Sequence, residues 1–205
     1  MTPDYWPQAI AHLGAHDPVL GRIIEGYPNE TLQSRDDPFG TLARAITGQQ
    51  ISVAAAQAVW LRMEQTLGRV EAGRVASATA EALLSCGLSR AKTRYLKDLA
   101  RSFLDGSLDP EGWTALDDDG VIAELTRIIG IGRWTAEMFL IFSLMRSDVL
   151  PLGDVGLQRA MGTHYQGGGK LGSAEIESIA ESWRPWRSVA TWYLWRSLDP
   201  LPVEY

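Results

Sequence analysis

Apolar residues recur along this chain at intervals of three and four, the spacing of one helix face, and alternation of useful length is missing. Phe39, Leu42, Ala43 and Ile46 share such a face, and Gly48 stops it. Ser52 then caps a helix whose inner face holds Ala55, Ala56, Val59, Trp60, Met63 and Leu67, ended by Gly68. Ser89 opens a third helix with Tyr95, Leu96, Leu99 and Phe103 inward, and Gly106 and Pro110 close it. Asp117, Asp118 and Asp119 put negative charge where a helix N-terminus favours it, ahead of Val121, Leu125, Ile128 and Ile129. Gly130-Ile131-Gly132 interrupts, and an apolar helix follows from Arg133 to about Met145. Asp154, after Pro151 and Gly153, opens the next helix, and Gly167-Gly168-Gly169 reads as a flexible loop. A last helix from Trp183 to Leu198 carries Trp183, Trp186, Trp192, Tyr193 and Trp195. Residues 1–36, with Pro18-Val19-Leu20 and Ile23-Ile24, are expected to pack as one helix against the second of two lobes. The pattern predicts an all-α fold.

Composition narrows the class. A chain of 205 residues, 45% hydrophobic and 21% charged, fits one globular domain or two small lobes. No run of ~18 apolar residues suggests a membrane span, and the first ten residues lack the plan of a signal peptide. Cys86 is the one cysteine, so neither an internal disulfide nor a four-cysteine metal site is available, and a reducing, cytoplasmic setting is expected. His12, His16 and His164 are too scattered to suggest a metal site. The net charge of −6 counts against a nucleic-acid partner globally. Locally, Arg90, Lys92, Arg94, Lys97 and Arg101 face a single acid, Asp98, and a basic face can sit on an acidic protein.

The most informative stretch is Leu125 to Ala136. Two glycines around one aliphatic residue permit a sharp turn and leave the backbone open to a large ligand. The helix beyond offers N–H groups and the positive end of its dipole to an anion. A DNA phosphate is such an anion, and contacts of this kind position a protein without reading sequence.

Leu-x-x-Ile-x-Gly-Ile-Gly-Arg-Trp-Thr-Ala closely resembles the hairpin of the helix-hairpin-helix (HhH-GPD) base-excision DNA glycosylases, in particular their 3-methyladenine DNA glycosylase II branch. Three further segments agree in order. Pro151-Leu152-Gly153-Asp154-Val155-Gly156-Leu157 is similar to the loop with the catalytic aspartate. Arg44 to Ser52 is similar to the first-lobe signature, and Trp183 to Ser188 to the C-terminal one. The resemblance runs from about residue 37 to 196. It implies one glycosylase unit over 1–205 with a DNA-binding cleft between lobe A (approximately 37–115) and lobe B (approximately 1–36 plus 116–205). With so few residues before the first motif, the β-rich N-terminal lobe of some relatives is expected to be missing.

The resemblance also implies roles. Asp154 would be the catalytic carboxylate, stabilising positive charge on the deoxyribose and orienting or deprotonating water. Gly130, Ile131, Gly132 and Thr135 would form the phosphate-binding hairpin. The carbonyls of Thr126, Ile128 and Ile131 could carry a sodium or potassium ion. Gln50 would be the wedge that replaces a flipped nucleotide and hydrogen-bonds its orphaned partner. Trp134 and Trp195 would line the base pocket, together with Met138, which stands with Val155 where relatives can have tyrosine. Trp134 takes the place of the lysine that forms an imine in bifunctional members, so strand cleavage through that position is not available. With one cysteine the family's iron–sulfur cluster cannot form, and no other cofactor is expected. The expected substrate is duplex DNA holding N3- or N7-alkylated purines, whose positive charge suits aromatic faces. A monomer suffices, and no membrane partner is expected. The readings set against this are a damaged-DNA recognition module without catalysis and the same fold with another lesion specificity.

Overall fold

The computed structural model describes residues 2–34 and 36–198, and all regular secondary structure among them is helical. Its helices are α1 Trp6–His16, α2 Pro18–Gly26, α3 Pro38–Gly48, α4 Val53–Leu67, α5 Ala72–Ser77 and α6 Ala80–Ser85. They continue as α7 Arg90–Leu104, α8 Asp118–Leu125, α9 Arg133–Phe142, α10 Val155–Tyr165, α11 Ser173–Ala180 and α12 Arg187–Leu198. Among the described residues no helix is long and apolar enough to cross a membrane. The chain divides into two compact units, one of residues 36–139 and one of 2–34 with 140–198, the division falling inside α9.

In the 36–139 unit, α3 packs on α4 and α7, burying Phe39, Leu42, Ala43 and Ile46 against Val59, Trp60, Met63, Leu96 and Leu99. Burying the larger of these side chains contributes about 1.5–3 kcal/mol each. Side-chain caps sharpen the boundaries: Asp37, Ser52, Ser89 and Asp117 each accept a backbone N–H from the first turn of α3, α4, α7 and α8. Three expectations change here. Ala55 is exposed, because the buried stripe of α4 begins a turn later. Helix α8 ends at Leu125, so Ile128 is buried under the following turn while Ile129 is 66% exposed. Residues 116–139 group with 36–115, whereas the sequence had placed them in the other lobe. The reason is local packing: Trp113 meets Phe139 edge-on at 5.1 Å, and the Tyr95 ring of α7 lies against Gly130.

The basic window on α7 divides into packed and exposed residues. Lys92 donates to the Thr47 carbonyl in the last turn of α3, and burial lowers its pKa. Lys97 donates to the carbonyls of Ala76 and Ala78 at the end of α5. Both satisfy helix C-terminal carbonyls, while Arg90, Arg94 and Arg101 stay exposed.

In the other unit, residues 2–34 form two helices where one was expected. Pro18 has no N–H to continue α1, and Asp17 turns extended and caps α2 through Val19 and Leu20. The second Asp17 oxygen accepts from the Tyr165 hydroxyl and the Trp183 indole, tying this junction to the end of α10. Trp6, Leu13 and Leu20 are buried where α1 and α2 meet α12. Trp6 stands edge-on to Trp192 at 5.3 Å.

Three further boundaries move in this unit. Helix α9 stops at Phe142 because Met145 takes a left-handed φ of 53° and Arg146 N–H closes back on Leu140 O. The last helix starts at Arg187, since Pro185 cannot donate within a helix, and Trp183 lies in a 3-10 turn. The triple glycine is a helix stop, not a loose loop. Gly167 and Gly168 take positive φ, and Gly168 N–H returns to Gly162 O at 2.8 Å.

Candidate functional site

Asp154 is built into the 140–198 unit as the N-cap of α10. Its Oδ1 accepts the Leu157 N–H at 2.6 Å and the Trp195 indole N–H at 2.7 Å, and the residue is 8% exposed. Trp195 comes from α12 and stacks on Phe142 of α9, with 5.7 Å between ring centres and 11° between planes. Residue 156 sits between these two side chains. A Cβ there would lie 3.0 Å from Asp154 Oδ1 and 3.1 Å from Trp195 Cδ1, so glycine gives the indole room to reach the carboxylate. The result is a carboxylate at the positive end of a helix dipole, held by donors from its own turn and from α12. A group so held can stabilise positive charge or orient a water molecule with little reorganisation.

The loop leading to Asp154 is gripped by the start of α12 and the turn before it. Asp148 receives Arg187 Nε at 2.7 Å and Nη2 at 3.0 Å, and Arg184 Nη1 at 2.7 Å. Arg187 Nη2 also donates to the Asp148 carbonyl at 2.8 Å. Ser188 completes the clamp: its hydroxyl donates to Arg146 O and accepts the Val149 N–H, while its own N–H reaches Ser147 O. Two turns further on, the same helix presents Trp195 to Asp154. Helix α12 therefore fixes both ends of the segment from Arg146 to Asp154.

The hairpin lies in the 36–139 unit. Gly130 has φ 94°, and a Cβ there would run into the Tyr95 ring, so glycine is required on both counts. Ile131 is buried and donates its N–H to Ile128 O at 3.0 Å. Gly132 has open space around its missing Cβ and accepts from Ala136 N–H at the first turn of α9. The amides of residues 133–135 precede that first intrahelical bond, the end of a helix that suits an anion. Thr135 itself is buried. Arg133 pairs with Glu137 at 2.9 Å and Asp119 at 3.4 Å. The Thr126 hydroxyl turns back onto Ile122 O and Ala123 O, and the Ile128 carbonyl accepts the Ile131 N–H.

Gln50 occupies the tip between α3 and α4 in a left-handed conformation, φ 59°, and is exposed. Holding a non-glycine residue there costs about 1–2 kcal/mol. Its neighbour Gln49 donates from Nε2 to the Gly130 carbonyl at 2.7 Å, joining this tip to the hairpin. Trp134 is 36% exposed at the start of α9, whereas Met138, one turn along the same face, is 2% exposed. Asp154 and Trp195 are thus brought together in one unit. Gln50, the hairpin, Trp134 and Met138 belong to the other.

Sequence reasoning missed Gln49, Tyr95, Gly156, Arg187 and Ser188 as working parts. The Gln49-Gln50 doublet and the Trp-Arg-Pro-Trp-Arg-Ser segment were visible in the sequence, but which donor meets which carbonyl is a tertiary fact.

Comparison with known proteins places the chain in a family. The family model for the HhH-GPD superfamily of base excision DNA repair proteins matches residues 43–187. The chain is 30% identical over 198 residues to DNA-3-methyladenine glycosylase 1 of Schizosaccharomyces pombe, covering 93% of this chain and 86% of that one. It is similar to the crystal structure of a DNA-3-methyladenine glycosidase from Bacillus halodurans, with TM-score 0.84, 35% identity, and 96% and 91% of the two chains covered. It is also similar to the S. pombe 3-methyladenine DNA glycosylase in complex with abasic DNA, with TM-score 0.80, 29% identity, and 93% and 96% covered. The chain belongs to the HhH-GPD superfamily of base excision DNA repair proteins.

Proposed function

We propose that this protein is a monofunctional DNA glycosylase that hydrolyses the N-glycosidic bond of N3- and N7-alkylated purines, the 3-methyladenine and 7-methylguanine class, in duplex DNA. The observation that carries the reading is Asp154, a carboxylate fixed at the head of α10 by the Leu157 amide and the Trp195 indole. The relatives named as 3-methyladenine glycosylases support the substrate class.

As the C1′–N bond breaks, its electron pair leaves with the base and positive charge develops on the sugar. Asp154 opposes that charge, orients the water that attacks C1′, and takes its proton. An alkylated purine is cationic before cleavage and leaves neutral, so no strong general acid is needed. Trp134 offers an aromatic face to the cation. Met138, buried one turn along the same helix, completes the apolar side of this region, and Trp195 serves the carboxylate besides any contact with the base. Trp134 also supplies no amine for an imine, so the product is an intact strand with an abasic site.

Gln50 fills the place of the flipped nucleotide, at a cost of a few kcal/mol in lost stacking. The amides at the start of α9 hold a phosphate. A sodium or potassium ion on the carbonyls of Thr126, Ile128 and Ile131 would add positive charge beside that phosphate, and carbonyl oxygens suit such ions. No cofactor takes part, and Cys86, the one cysteine, is buried against Ala82 and Thr66. The protein acts as a monomer on DNA in the cytoplasm, or in the nucleus of a eukaryote.

The test is incubation with duplexes holding 7-methylguanine or a 3-methyladenine analogue, with free base and strand breaks counted before and after alkali. Base release with breaks appearing after alkali is expected. Breaks before alkali would mean another nucleophile, and binding without release across a lesion panel would make the protein a recognition module.

A further inference from the structure

The loop at Gln50 and the hairpin at Gly130 are eighty residues apart in sequence, yet one face of α7 supports both. Lys92 and Tyr95, three residues apart on that face, reach them separately. Lys92 Nζ donates to Thr47 O at 2.8 Å, fixing the end of α3, and the Tyr95 ring packs against Gly130. Short-range bonds hold each loop further. Ile51 N–H reaches Gly48 O and Ser52 caps α4 on one side, and Ile131 N–H reaches Ile128 O on the other. Between the two loops runs the bond from Gln49 Nε2 to Gly130 O, 2.7 Å long and half-buried. Each loop also exposes an aliphatic side chain, Ile51 and Ile129.

Resting on the glycosylase reading above, we propose that Gln49 is a positioning residue that couples the two loops, so that the phosphate seated on the hairpin fixes which nucleotide Gln50 displaces. The hairpin grips the backbone without regard to sequence, so grip alone does not select a base. The wedge alone does not say where along the strand it enters. With Gln49 locking one to the other, the distance from held phosphate to displaced nucleotide becomes a constant of the protein. Backbone binding then places Gln50 in its left-handed, exposed conformation at one register. Gln49 acts through its neighbours and need not touch DNA. A hydrogen bond of this kind shifts an equilibrium by roughly three- to tenfold, a useful increment when flipping is a near-balanced exchange of stacking for pocket contacts.

The test compares wild type with Gln49→Leu, which keeps the bulk and removes the donor. Unstacking is read by the fluorescence of 2-aminopurine beside an alkylated base, and affinity by titration of an undamaged duplex. A set of duplexes with single methylphosphonates then locates the phosphate whose neutralisation lowers unstacking in the wild type. In Gln49→Leu the unstacked population is expected to fall about three- to tenfold, with undamaged-DNA affinity within twofold and melting within a few degrees of wild type. The sensitive methylphosphonate should still weaken binding but no longer change unstacking. Unstacking equal to wild type, affinity and unstacking falling by the same factor, or an unchanged methylphosphonate profile would each overturn the coupling. Unstacking is read independently of base release. A wild type that unstacks but frees no base would therefore refute the proposed activity and leave the coupling to be judged on these readouts.

Discussion

Replacing Trp195 with phenylalanine isolates the hydrogen bond to Asp154 from the aromatic ring that makes it. Phenylalanine can keep the stacking on Phe142, at 5.7 Å and 11° in the parent, while the N–H that reaches Asp154 Oδ1 at 2.7 Å disappears. A hydrogen bond to a charged group contributes about 1.5–3 kcal/mol, and each 1.4 kcal/mol is tenfold in rate. If the bond serves to aim the carboxylate, single-turnover base release falls by roughly 10- to 100-fold. Leu157 N–H remains at 2.6 Å, so Asp154 is loosened and not expelled, and complete inactivation is not expected. The assay uses excess enzyme over a duplex with one 7-methylguanine, beside Kd for a duplex holding an abasic analogue. The expected outcome is the stated rate loss with Kd within threefold. A folded Trp195→Phe enzyme working within twofold of wild type would refute the idea that the indole positions the carboxylate.

Further outcomes follow from other contacts. Arg187→Lys keeps the charge but loses the forked grip on Asp148; base release should drop about tenfold with DNA affinity nearly unchanged, and parallel loss of both would contradict the clamp. Gly130→Ala places a methyl against Tyr95 at a positive φ, costing about 2 kcal/mol or more, so thermal melting should fall by roughly 4–8 °C; an unchanged Tm would count against the required glycine. Burial beside Arg22 lowers the His164 pKa, and its ring meets Ser197 Oγ at 2.7 Å. The unfolded chain therefore takes up that proton first, and stability drops as pH falls below about 6.5 toward the folded value. His164→Gln should flatten this part of the Tm–pH curve, and an equal slope in the variant would exclude His164 as the source.

The helices were legible because their signals are local. Ser52, Ser89 and Asp117 cap where their hydroxyls and carboxyl predict, and Asp154 opens α10 as its place after Pro151 and Gly153 suggests. The misreadings share a cause in competition between neighbouring signals. The apolar run from Arg133 hides the left-handed turn at Met145, and the tryptophans before Arg187 draw attention away from Pro185. Of the candidate site, Asp154 and the glycine hairpin could be named from the chain. Their supports could not: Gln49 to Gly130, Arg187 to Asp148 and Trp195 to Asp154 link residues 81, 39 and 41 apart. The partners of Lys92 and Lys97 are tertiary facts of the same kind, since their ammonium groups meet carbonyls at the ends of other helices.

The central claim is that Asp154 carries the chemistry, and Asp154→Asn tests it most directly. Asparagine preserves an acceptor for Leu157 N–H and the Trp195 indole, so the fold and the binding of an abasic-analogue duplex should persist. Single-turnover release of 7-methylguanine should fall by at least two to three powers of ten, the scale of losing an electrostatic stabiliser of the transition state. Release within tenfold of wild type, by a variant that binds the duplex normally, would contradict the account.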